Sequence, residues 1–126
     1  MSGKVLSATQ QMSGRKNAFP KRGEIYWVNL DPTIGSETKK TRPAVIISND
    51  IGNETSKIVI LAPITSKVKN IYPFEAKTSV NGKPAKIMLN QSRAVDKSRL
   101  TTKIDSIDHK GMKAVEEAIK IVFALN

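Results

Sequence analysis

Two apolar runs, residues 43–49 and 57–65, flank the polar stretch NDIGNETS and constrain this 126-residue chain more than any other feature. In the first run Ala44, Val45, Ile46 and Ile47 are apolar at successive positions, so both faces of a strand there need cover. The second run, KIVILAPIT, has the same character. With Gly52-Asn53 at the middle of the connection, the two predict an antiparallel hairpin. Residues whose numbers add to about 105 to 107 then face each other across it.

The first strand opens on Arg42-Pro43. A proline biases the preceding residue toward an extended conformation and is best tolerated at a strand's first position or on an edge, so Arg42 stands at the strand's mouth. The hairpin register sets it across from residues 63–65, the last of which is Thr65. A planar guanidinium on a rigid rim can grip an anion, although a surface arginine also serves simply to pair with a carboxylate. A threonine at a strand end likewise can do no more than cap a turn.

The rest of the chain reads as short strands and one helix. GEIYWVNL alternates as a first strand, and DPTIGSETKKT is a long, charged, turn-rich loop. YPFEAK is a fourth strand, Asn81-Gly82 marks a tight turn, and AKIMLNQSRAV is a fifth strand, with Gln91 and Arg93 near its end. SRLTTKIDSI is a sixth segment. Asp108 then caps a helix running to about Leu125, whose buried stripe is Met112, Val115, Ile119, Val122 and Phe123. Residues 1–20 are polar and aperiodic, which predicts a flexible tail ahead of one folded domain over residues 21–126. Antiparallel strands closed by a terminal helix imply a small, partly open barrel. Tyr26, Trp27, Tyr72 and Phe74 are expected in a core or an interface more than as base-stacking platforms.

Composition narrows the chemistry. There is no cysteine and one histidine, His109, so thiolate sites, disulfides and histidine clusters are excluded, and no metal-ligating or cofactor-binding set is recognisable. No run approaches membrane-spanning length and no signal-peptide core is present, which fits a cytoplasmic location. The net charge is +10, from 21 Lys/Arg against 11 Asp/Glu. Only four of those basic residues (Lys4, Arg15, Lys16 and Lys21) precede residue 22, so the folded part shares the excess. Nucleic acid and acidic proteins are the partners such a balance suits.

The motifs KRGEIYW, DPTIGSE, TRPAVIISND, APITS and NQSRAVDKSRL occur in this order from Lys21 onward, followed by the amphipathic helix. In combination they resemble the MazF/PemK toxins of bacterial toxin-antitoxin systems. The resemblance implies an SH3-like antiparallel β-barrel with a C-terminal helix and a homodimer. It also implies metal-independent, sequence-selective cleavage of single-stranded RNA, restrained by a cognate acidic antitoxin. By the same resemblance Arg42 and Thr65 are the catalytic pair. Gln91, Arg93 and Asn90, with Ser36, Glu37, Lys39 and Lys40 of the long loop, are the substrate-binding candidates.

Such cleavage needs no metal if the RNA's own 2'-hydroxyl attacks the adjacent phosphorus. An arginine suits stabilisation of the charge that develops there and is a poor general base. Relatives often carry an acidic residue immediately before the matching glutamine, and some an arginine two positions earlier; here these are Asn90 and Met88. Either Arg42 and Thr65 suffice or the chain is slow. A gyrase-directed toxin of the same fold and a non-catalytic RNA-binding barrel are the alternatives, and the intact TRPA and APITS motifs count against the first.

Overall fold

The computed structural model describes residues 18–31 and 41–126. Most of the tail and four loop candidates, Ser36, Glu37, Lys39 and Lys40, lie outside the described residues. Of residues 18–20, Pro20 is buried. The elements follow as β1 (Glu24–Asn29), β2 (Thr41–Ile46), a short helix α1 (Asp50–Thr55), β3 (Ile58–Thr65), β4 (Glu75–Val80) and β5 (Lys83–Met88). After a 3-10 turn (Leu89–Gln91) come β6 (Arg93–Asp96), a second 3-10 turn (Lys97–Arg99), β7 (Leu100–Ser106) and helix α2 (His109–Val122).

The strands form one curled antiparallel sheet in the order β4-β5-β3-β2-β1-β7, with β6 also paired to β3. It is the small, partly open barrel that the strand pattern implied, with the SH3-like form that the resemblance added. The double-sided apolar pattern of β2 is used in full, because alternate residues enter two separate cores. Val45 joins Ile25, Ala62, Ile64 and Ile87 beneath α2, where Met112, Val115 and Ala118 pack. Ala44 and Ile46 join Tyr26, Val28, Leu61, Val95 and Leu100 on the opposite face, inside the curl. Tyr26 is fully buried with its hydroxyl donating to Glu24 Oε1 at 2.9 Å. Burial, reinforced by that carboxylate, pushes the phenol above its ordinary pKa.

Several local expectations are corrected. The loop NDIGNETS is helical: Asn49 caps α1 through Gly52 N, and Asn53 is buried within it. The expected fifth strand is two strands. Ile87 faces Ile64 while Arg93 faces Leu61, so six steps along one chain answer three along β3, and the 3-10 turn absorbs the excess. The fourth strand begins at Glu75, because Tyr72 O accepts from Glu75 N at 2.8 Å and closes a turn. Asp108 caps α2 as expected, its carboxylate accepting from Gly111 N at 2.8 Å. The helix ends at Val122, and Phe123, expected in the buried stripe, is 61% exposed. Phe123 is the C-cap, and Ala124, at φ 54, with the bond from Leu125 N to Lys120 O at 2.7 Å, ends the helix there.

Candidate active site

The β2–β3 ladder ends at Ala44 against Pro63, and its register, continued two steps, aligns Arg42 with Thr65, at the end of the range that the sequence allowed. On the other edge of β3, Thr65 faces Lys86 of β5. Strand alternation places the Arg42 side chain on the face of Ala44 and Ile46, and Thr65 on the face of Leu61, so both stand where the inner core gives way to solvent. Three adjacent strands thus fix the rim.

Arg42 and Thr65 both line a groove of about 530 Å³ at this end of the sheet. Its apolar walls, Trp27, Pro43, Ile64 and Ile104, belong to the α2 side of the sheet, so Arg42 and Thr65, whose side chains alternate to the other face, meet the groove at the strand ends, and Asn81 and Lys83 bring polar groups to its edge from the β4–β5 turn. Trp27, expected in a core or an interface, is 39% exposed here. That turn has Asn81 at φ 51 and Gly82 at φ 80, the left-handed pair that a two-residue hairpin requires. Asp105 accepts from Asn81 N at 2.9 Å, and this bond, with the one from Ser106 N, holds its carboxyl below the usual range.

Thr65 is 8% exposed, and its Oγ1 accepts from Lys67 N at 3.2 Å. It therefore does cap a turn. A hydroxyl that accepts still has its own hydrogen to donate, so the cap and a role toward a bound anion are compatible.

The other candidates distribute unevenly. Arg93 lies on the inner face opposite Leu61, and its guanidinium donates to Leu30 O at 3.1 Å. Arg99 donates to Asn29 O at 3.1 Å and also to Asp31 O. Two arginines thus satisfy three successive carbonyls where the chain leaves β1, a place with few ladder partners. Gln91 Nε2 lies 3.6 Å from Met88 Sδ, and Asn90 is exposed on the 3-10 turn. None of Asn90, Gln91 and Arg93 lines the groove that Arg42 and Thr65 share. Sequence reading did not anticipate Trp27, Asn81 and Lys83 in it. The Asn81-Gly82 signal located the turn, but its approach to β2 depends on the curl of the whole sheet.

The sequence model of the PemK-like, MazF-like toxins of type II toxin-antitoxin systems matches residues 21–123. Endoribonuclease EndoA of Bacillus subtilis (strain 168) is 39% identical over 110 residues, covering 83% of this chain and 95% of that protein. Among solved structures, MazF of Deinococcus radiodurans superposes with a TM-score of 0.74 at 22% identity, over 86% of this chain and 99% of that one. A mycobacterial endoribonuclease in complex with its cognate antitoxin gives 0.71 at 18% identity, over 85% and 97%. These two show the common fold, while the family match extends over all the described strands and α2. The chain belongs to the PemK-like, MazF-like toxin family of type II toxin-antitoxin systems.

Proposed function

We propose that this chain is an endoribonuclease toxin that cuts single-stranded RNA at the rim where Arg42 and Thr65 meet. The observation that carries the reading is their place together at one end of β2 and β3, at the edge of one groove, in a chain of this family. The RNA 2'-oxygen forms a bond to phosphorus as the bond to the 5'-oxygen breaks. The 2'-hydroxyl loses its proton, the 5'-oxygen gains one, and the products are a 2',3'-cyclic phosphate and a 5'-hydroxyl. Arg42 offers parallel N–H donors to the non-bridging oxygens, where charge builds up, and Thr65 donates a further hydrogen bond.

Metal independence is part of the proposal. Among the described residues no three His, Cys, Asp or Glu side chains come together, so the donor set for a catalytic cation is missing there. With no acid at Asn90 and no arginine at Met88, Arg42 and Thr65 stabilise charge, and solvent takes the 2'-hydroxyl proton and supplies the one that the 5'-oxygen gains. Gln91, Arg93, Asn90 and the loop residues Ser36, Glu37, Lys39 and Lys40 are assigned to substrate binding around this centre. The partners are RNA, a second copy of the chain and a cognate acidic antitoxin, which suits the net charge of +10. No helix among the described residues is long and apolar enough to cross a membrane, and we place the protein in the cytoplasm with its RNA substrate.

The test is to incubate purified protein with a long mixed-sequence RNA in excess EDTA, map the cuts and identify the ends. Discrete cuts with 5'-hydroxyl ends are expected. A strict need for magnesium, or 5'-phosphate ends, would overturn the reading.

A further inference from the structure

We propose that Lys86 is a positioning residue: with Glu75 it locks the segment 66–74 into a fixed, cationic wall beside Thr65, and this wall holds the RNA backbone next to the scissile phosphate. This rests on the assignment of the Arg42–Thr65 rim. Lys86 is an unusual strand residue, buried yet charged and directly opposite Thr65. Its ammonium donates to Asn70 O at 2.7 Å and to Glu75 Oε1 at 2.9 Å, and lies 5.5 Å from the Tyr72 ring centre. Glu75 Oε1 also accepts from Tyr72 N at 2.9 Å, and Tyr72 stacks on Phe74 with ring centres 5.5 Å apart. Every one of these interactions is with residues 70–75, so the pair acts on that segment and does not point at the reaction.

The segment is also tied at its start, where Lys67 N donates to Thr65 Oγ1. Between the two ties it exposes Lys67 and Lys69. Burying an ion pair is costly, and a hydrophobic pair of similar volume is often as stable or more so. Stability alone therefore explains poorly why a lysine stands here; a fixed shape for an exposed cationic loop explains it. The ligand is an RNA phosphate flanking the cut, held by a point charge.

Because Lys86→Met alone leaves the Glu75 charge buried and unpaired, the test uses Lys86→Met/Glu75→Gln, which removes both charges and keeps an acceptor for Tyr72 N. On an RNA oligonucleotide with a mapped cut site, this variant is expected to raise KM about tenfold while kcat stays within about threefold, with the fold retained by circular dichroism. In the wild type, Lys67→Ala/Lys69→Ala is expected to flatten the dependence of log KM on log salt by about 0.7 for each phosphate that is no longer neutralised. In the paired variant the same lysine changes should do little, which a merely structural role would not produce. A folded paired variant with wild-type KM overturns the proposal. So does a fall in kcat at constant KM, which would put Lys86 in the chemistry. Arg42→Ala, assayed alongside, separates the two claims: an active Arg42→Ala enzyme refutes the rim assignment, whatever the loop variants do.

Discussion

The β2–β3 hairpin has two ends of opposite character. At the closed end, Asn53 is fully buried, and its amide donates to Ser48 O at 2.9 Å and Asp50 Oδ1 at 3.2 Å while accepting from the Ser48 hydroxyl. Arg22 N donates to Asp50 Oδ1 at 2.8 Å, and the Arg22 guanidinium reaches Ile47 O at 3.1 Å and Glu116 of α2 at 3.2 Å. At the open end, Arg42 and Thr65 stand beside a groove with apolar walls. The strand core between them is the same, so the difference lies in how each end treats its polar groups. One end ties its polar groups into a closed network; the other sets a half-buried arginine and a nearly buried threonine at the edge of a groove. If the proposed chemistry sits at the open end, stability and chemistry lie about a strand's length apart, and each should be alterable without the other.

Breaking the open end gives the largest effect. Arg42→Ala is expected to slow cleavage about 10²- to 10³-fold. Its melting temperature should stay near that of the wild type, as a rim residue contributes little to folding. Next, Thr65→Ala should cost about 10- to 100-fold in kcat/KM, the worth of a hydrogen bond to a charged group, and Thr65→Ser should restore most of it. At the closed end, Asn53→Ala is expected to destabilise by about 1–3 kcal/mol in denaturant unfolding, because Ser48 and Asp50 lose buried partners. Cleavage by the folded fraction should be unchanged. Asn49→Ala, which removes the α1 cap, should cost about 1 kcal/mol.

The smallest effect sharpens the comparison through pH. The folded state holds the Asp105 carboxyl below its ordinary pKa, so its contribution to stability is present above about pH 4 and fades as pH falls through the lowered value. The melting difference between wild type and Asp105→Ala should narrow below pH 4. A gap that stays constant down to pH 2 would mean that the carboxylate does not hold the Asn81 turn.

The register that makes the open end was legible in sequence because it is local: two strands, one short connection and a proline that fixes where the first begins. The family resemblance added the proposed roles of Arg42 and Thr65, which geometry alone leaves open. Less local features escaped. The six-residue helix α1 is too short to show a period, and its cap, Asn49, sits inside a string of loop-forming residues. The break between β5 and β6 has no signal in MLNQS; it is imposed by β3, whose two halves pair with different strands along one edge. Lys86 and Glu75 meet diagonally across β4 and β5, near neighbours in the ladder but not facing partners, so a lysine in a strand reads as exposed until that register is known.

The most direct test of the open end as a site of 2'-hydroxyl chemistry uses two RNA oligonucleotides that differ by one oxygen. One carries a mapped cut site unaltered; the other has a single 2'-deoxy sugar immediately 5' of the scissile phosphate. Wild-type protein in excess EDTA should cut the first at that phosphate and leave the second intact there, while both bind with similar affinity to Arg42→Ala. Cleavage of the deoxy substrate at the same phosphate would make water the nucleophile and contradict the mechanism assigned to Arg42 and Thr65.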